Sequence, residues 1–247
     1  MTTFGALIIG DEIMSGKRQD KHLAKAIETL SERGLQLSWG QYLGDDPDLI
    51  TATLRRTFAA DSVVFCFGGI GATPDDHTRQ CAARAAGVEL ELHPEAEAEI
   101  RARFGDEVTP NRLKMGEFPA GAAIIPNPHN RIPGFSLEQH YFLPGFPEMA
   151  WPMMAWVLDT RFHHLFDPGS IAEASIIVRG AGESQLIDLM NECQTRFLRL
   201  KVFSLPRMGA DRHIELGVRG DPDQVAAAIA DLKQGVGALG FSWADAL

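Results

Sequence analysis

Apolar and polar positions along the chain switch between two periods. Phe4 to Ile9 is a short unbroken apolar run stopped by Gly10-Asp11, the pattern of a buried strand. Asp20 then predicts a helix N-cap, with Leu23, Ile27 and Leu30 at helical spacing and Gly34 as the stop. Leu35 to Tyr42 returns to alternation. Asp46-Pro47 reopens a helix whose apolar stripe is Ile50, Leu54 and Phe58. Ser62 to Phe67 is a second buried run. The pattern goes on with helices over Asp75 to Ala86 and Pro94 to Arg103, and a loop from Gly105 to Phe118. Strands follow at Ala122 to Ile125 and His140 to Leu143, then a helix over Pro147 to Leu158 with Pro152 as a kink.

Strand, helix, strand in succession predicts βαβ units and an α/β domain whose parallel sheet is covered on both faces. Phe166-Asp167-Pro168-Gly169 clusters turn residues between a helix and a new strand, so the expected division is 1–168 and 169–247. The second part reads as strand (Ile171 to Val178), helix (Leu186 to Cys193), two strands (Val202 to Leu205 and His213 to Val218) and a helix capped by Asp221-Pro222. That order is a small α+β domain. The sequence has no internal repeat.

The 247 residues are 45% hydrophobic and 23% charged, enough for a real core. A formal charge of −10 argues against general nucleic-acid binding, because a polyphosphate would meet a repulsive field. It leaves room for one small anion held by backbone amides and a cation. Three cysteines, an odd number without C-x-x-C spacing, fit a reducing cytoplasm and carry no metal motif. The first residues lack a signal-peptide pattern, and no apolar run is long enough to span a bilayer.

Two loops carry the candidate chemistry. Gly10-Asp11-Glu12-Ile13-Met14-Ser15-Gly16 follows the first buried strand, and Gly68-Gly69-Ile70-Gly71-Ala72-Thr73-Pro74-Asp75-Asp76 follows the third. In an open parallel sheet both lie at the carboxyl edge, where ligands bind. Their glycines let amides approach a ligand closely. Two readings of the acids stand side by side. Thr73, Pro74 and Asp76 match a helix start with a capping box, which needs no ligand. Alternatively Asp11, Asp75 and Asp76, with Glu12 beside them, hold a magnesium-type cation bridging to a phosphate. The glycine spacing is neither a P-loop nor a dinucleotide fingerprint. Asn111 and Lys114 can hold a phosphate or sugar, or simply sit in a solvated loop. Of the eight histidines none has zinc spacing, and His77 reads as a surface residue of a helix's first turn.

These motifs, with Asn111-x-x-Lys114-Met115, Pro119-x-Gly121-Ala122, Asn127-Pro128, Pro133-Gly134 and Leu143-Pro144-Gly145-x-Pro147 in order, resemble the N-terminal family of the competence-damage protein CinA. The wider superfamily is the molybdopterin-binding fold of MoaB and MogA. Gly182-Glu183-Ser184 is similar to the start of a helix in the CinA middle domain. The resemblance implies a three-layer αβα domain with a mainly parallel sheet, followed by a small α+β domain. It implies a homo-oligomer and a pocket for a molybdopterin-like or adenine-nucleotide ligand, some relatives being similar to metal-dependent pyrophosphatases of ADP-ribose or FAD. Carried over, Asp11, Asp75 and Asp76 handle the metal. Gly10, Glu12, Ser15, Gly68, Gly69, Gly71, Thr73, Asn111, Lys114, Asn127, Arg131, Pro133, Gly134, Pro144 and Gly145 would surround the ligand.

The chain departs from the family at several points. Ala72 replaces a usual Pro. His129-Asn130-Arg131-Ile132 precede Pro133-Gly134 where Gly-Thr-Ala is usual, and Arg131 adds a group able to fork a phosphate. Met149 stands where the family places Glu. The end at Leu247 leaves out the family's C-terminal amidohydrolase domain, so deamidation of a nicotinamide nucleotide is not expected. Three functions remain: a metal-dependent nucleotide pyrophosphatase, a binding module for a molybdopterin-like ligand, and an interaction protein whose second domain drives oligomerisation.

Overall fold

The computed structural model describes residues 2–209 and 211–246. They form two compact units, 1–166 and 167–247. In the first unit the chain runs β1 (Thr3–Ile9), α1 (Asp11–Met14), α2 (His22–Ser31), β2 (Leu37–Leu43), α3 (Pro47–Phe58), β3 (Ser62–Phe67) and α4 (Thr78–Ala86). It continues through β4 (Leu90–Leu92), α5 (Pro94–Phe104), α6 (Pro110–Leu113), β5 (Glu117–Pro119), β6 (Ala123–Ile125), β7 (Gly134–Leu137), β8 (His140–Leu143) and α7 (Pro147–Arg161).

The six-stranded sheet has the order β2-β1-β3-β8-β7-β6. β2, β1, β3 and β8 are mutually parallel, and β7 runs antiparallel to its two neighbours β8 and β6. The sheet is therefore mainly parallel. Alternate residues of each strand feed opposite faces. Phe4, Ala6 and Ile8 of β1 and Phe65 and Phe67 of β3 pack with Ala26 and Leu30 of α2 and with Met153, Met154 and Val157 of α7. Leu7, Ile9, Val64 and Cys66 point the other way, onto Ile50 and Leu54 of α3 and Cys81 and Ala82 of α4. Helices thus cover both faces, giving three layers. Each fully buried aliphatic or Phe side chain contributes roughly 1.5–3 kcal/mol by leaving water.

Helix starts follow the local chemistry. The Asp46 carboxylate accepts from the amides of Asp48 and Leu49 at 2.8 and 3.1 Å, with Pro47 opening α3. Asp20 does the same for the first turn of α2, accepting from the amides of His22 and Leu23. The helix expected from Asp75 begins at Thr78 instead. Thr73 and Asp76 close a turn of their own: the Asp76 amide donates to the Thr73 carbonyl and the Thr73 amide to the Asp76 carboxylate, at 3.0 and 2.8 Å. Residues 105–118, read as a loop, contain α6 and two short 3-10 turns.

The second unit is β9 (Ala172–Arg179), α8 (Ile187–Arg196), β10 (Leu200–Arg207), β11 (His213–Gly220), α9 (Pro222–Ala238) and β12 (Ser242–Asp245). Its sheet order β10-β11-β9-β12 is antiparallel between neighbours, the split β-α-β arrangement of ferredoxin-like domains. Ile176, Val178, Leu216 and Val218 pack on Cys193 of α8 and on Ala228, Leu232 and Val236 of α9.

Candidate functional site

Parallel strands end at one edge of their sheet, and four here do so together. β1 runs into Gly10, β2 into Gly44-Asp45, β3 into Gly68-Gly69 and β8 into Pro144-Gly145. From β1 the chain steps to β2 on one side and later returns to β3 on the other. The β1–β3 gap is therefore the point where strand order reverses and loops part to leave a crevice. A cavity of about 610 Å³ lies there.

Backbone geometry demands glycine at the heart of this edge. Gly68 has φ 104°, and a Cβ on it would stand 2.1 Å from the Ile9 carbonyl oxygen. Gly69 has φ 68°, and its Cβ would meet the Thr78 hydroxyl at 2.2 Å. Both conformations belong to glycine. The first turn of α4 ties the loop down: the Thr78 hydroxyl donates to the Gly68 carbonyl at 3.0 Å and the Thr78 amide to the Gly69 carbonyl at 2.9 Å. Arg79, 2% exposed, donates through its guanidinium to the carbonyls of Gly71 at 2.7 Å, Glu117 at 3.1 Å, and Lys114. It joins the glycine loop to the turns after α6. Burial lowers the pKa of Arg79, against the pull of Glu117 and Asp76.

Of the residues expected at the site, Gly10, Glu12, Gly68, Gly69, Gly71, Thr73, Asp75 and Asp76 line the cavity from the two acidic loops. Asn127, Pro133, Pro144 and Gly145 line it from later loops. The others lie elsewhere. Asp11 is engaged by the chain: its Oδ1 accepts from the Asp45 amide at 3.0 Å, while Asp45 Oδ2 accepts from the Asp11 amide at 2.8 Å. Ser15 caps the end of α1. Asn111 and Lys114 are exposed and outside the lining, and Met115 lines it instead. Arg131 forks the Glu99 carboxylate at 2.8 and 3.3 Å, so the expected phosphate fork is occupied by an ion pair. Gly134 serves β7, where a Cβ would meet the Phe142 carbonyl at 2.3 Å.

Several lining residues escaped the sequence reading. Asp45, Arg18, Asn130, Phe146 and Met149 all border the cavity. Met149, at the position where a Glu was expected, accepts from the Asn130 side-chain amide at 3.4 Å and leaves that wall apolar. The signal for Asp45 was present, since it follows a strand that had to end at the same edge as β1 and β3. His22 lies behind this wall. It stacks on Phe67 with centroids 4.7 Å apart and donates from Nε2 to the Gly145 carbonyl at 3.2 Å. Burial holds His22 below its ordinary value.

Burial pushes the Asp45 carboxyl up, and the nearby carboxylates of Asp11, Glu12 and Asp75 push the same way against the Asp11 amide. Asp75 is exposed and held below the usual range first by the Thr73 hydroxyl, then by its own backbone amide. That hydroxyl also donates to Asp76, and its single proton serves one acid at a time. Among the described residues no three His, Cys, Asp or Glu side chains are gathered as a metal cage. Asp11, Asp75 and Asp76 are therefore not assembled as a three-carboxylate ligand set.

Residues 5–164 match the model of the family described as a probable molybdopterin binding domain. The chain belongs to this family. A CinA-like protein of Anaeromyxobacter sp. (strain K) is 35% identical over 160 residues, which are 62% of this chain and 39% of that protein. A protein of Caldivirga maquilingensis is 32% identical over 194 residues, covering 75% of this chain and 74% of its own length. The solved structure of CinA, of unknown function, from Thermoplasma acidophilum superposes with a TM-score of 0.59 at 28% identity, over 64% of this chain and 98% of that one. The family's α/β fold with a mostly parallel sheet is thus that of the first unit, and the β-rich second unit is additional. Among the described residues no helix is long and apolar enough to cross a membrane.

Proposed function

We propose that the cavity binds a small phosphorylated ligand with a planar ring, a pterin or an adenine nucleotide, and hydrolyses its phosphoanhydride with the help of a divalent cation. The observation that carries this reading is the glycine loop at the strand-order reversal, in a cavity lined both by acids and by Met115, Ile132, Phe146 and Met149. Backbone amides suit phosphate oxygens, and the apolar wall suits a ring. The crowded carboxylates around Asp45 supply hard oxygen donors and an unneutralised negative charge. Magnesium takes one or two protein carboxylates and completes its shell with phosphate oxygens and water, so a protein cage is not required. Asp75 would hold such an ion together with the Asp45 oxygen that the Asp11 amide leaves free, while Asp11 and Asp76 keep their loop bonds. The cation, when bound, would stabilise developing charge on the phosphoryl oxygens. The protein's own part is to orient the anhydride with the Gly69–Thr73 loop and to shelter it.

A second reading, a binding module without turnover, is supported by the loop bonds that already engage the carboxylates of Asp11 and Asp76. In both readings the chain acts as a homo-oligomer in the cytoplasm and needs neither nucleic acid nor membrane.

Incubation with ADP-ribose or FAD, with magnesium, cobalt or EDTA, separates the readings. Metal-dependent release of AMP, lost in a folded Asp75→Asn variant, is the result expected of the hydrolase. Ligand binding in calorimetry with no product in any condition would establish the binding module. Neither binding nor product would overturn both.

A further inference from the structure

The cavity is bordered by the carboxylates of Glu12, Asp45, Asp75 and Asp76. Among the described lining residues Arg18 is the one cationic side chain. Its placement is built into the backbone. After α1 the chain turns back at Gly16, whose φ of 74° a side chain rarely adopts. The Arg18 amide then donates to the Glu12 carbonyl at 2.9 Å. Two residues on, Asp20 is pinned by the first-turn amides of α2 and by the Tyr42 hydroxyl at 2.8 Å. Arg18 is thus held between two fixed points at the cavity's border.

Its guanidinium has a weak partner. Nη1 stands 3.5 Å from Glu12 Oε1, and the two side chains are 56% and 43% exposed. Exposed single-contact pairs of this kind contribute little and are readily exchanged. A phosphate carries more charge than a carboxylate and matches the guanidinium fork with two parallel bonds.

We propose that Arg18 is the specificity-determining anchor for the ligand's phosphate, with Glu12 as the counter-ion that holds it until the ligand arrives. The inference rests on the phosphorylated-ligand reading above and adds a selection rule to it. With four carboxylates around the cavity, Arg18 is what turns an acid-lined site into one that prefers AMP to adenosine. Glu12 competes with the ligand for the same guanidinium.

The test is calorimetric titration of the full chain with AMP, ADP-ribose and adenosine, using the native protein, Arg18→Gln, Arg18→Lys and Glu12→Gln. The native protein is expected to bind AMP and ADP-ribose more tightly than adenosine. Arg18→Gln should weaken both phosphorylated probes about tenfold and leave adenosine unchanged, with Arg18→Lys recovering part of the loss. Glu12→Gln should strengthen AMP binding a few-fold and enlarge the gain seen on lowering salt. Native preference for AMP that persists in Arg18→Gln overturns the anchor and leaves the phosphorylated-ligand reading standing. Absence of binding by all probes to the native protein overturns both.

Discussion

Arg79 shows how much of the site hangs on one buried side chain. Its guanidinium serves three carbonyl oxygens on two segments, and its Nε has no partner. Truncation would leave those carbonyls to be satisfied by water in a tight space, at about 1 kcal/mol or more each. Arg79→Ala is expected to lower unfolding stability by roughly 3 kcal/mol, measured by urea denaturation. Arg79→Lys should recover little, since an ammonium lacks the planar fork that spans separate acceptors. At this scale the sequence was legible where chemistry is local. Gly68, Gly69, Asp75 and Asp76 stand in the cavity lining because a glycine turn after a buried strand has few other places to go. Asp45 was legible only through the shared edge at which β2 has to end, and Arg18 and Met149 were not, because topology, not adjacency, carries them there. Arg131 stands outside the cavity lining, paired with Glu99 thirty-two positions away, a contact that local sequence does not reveal.

Among elements, the long periodic segments were readable from spacing alone: β1, β3, α3 and α5 all stand where the pattern puts them. The short ones were not. β7 opens with Gly134, β4 and β5 have 3 residues each, and β12 is an exposed run of 4, so none repeats its alternation often enough to stand out from a loop. The start of α4 was placed too early because the Thr73–Asp76 turn imitates a capping box. At the other end of β8, His140 links two elements by an Nε2 contact of 2.8 Å to the Thr57 hydroxyl of α3, and its Nδ1 is buried without a partner. Burial lowers its pKa from 6.5 to about 3. The unfolded chain therefore takes up this proton below pH 6.5 while the folded one does not. The stabilisation is complete above pH 6.5 and falls as pH drops towards 3, by up to about 1.4 kcal/mol per unit. Urea titrations at pH 7 and pH 5 should show this fall, and His140→Gln should flatten it. His22, also lowered by burial, adds a slope of the same sign that the variant retains.

At the scale of the molecule, each unit has its own hydrophobic centre. The first places helices on both faces of its sheet, and the second packs α8 and α9 against β9, β10 and β11. Such separate cores fold independently as a rule. Residues 167–247 expressed alone should give one cooperative unfolding transition in circular dichroism; a non-cooperative melt would show that this unit needs the first. The alternation of apolar runs and helical stripes made both units readable in outline. Turn residues cluster at Asp167-Pro168-Gly169, beside the point where the two units divide. What outline alone withheld was the cavity, which exists only once four strand ends share an edge.

The exchange of bonds between Asp11 and Asp45 joins the loops after β1 and β2 by two contacts, each using one residue's amide and the other's carboxylate. Neither position can then change without altering what is tolerable at the other. Over evolutionary time two sites thirty-four residues apart would be inherited as a single character, and a substitution at one would set the terms on which the other is free to vary.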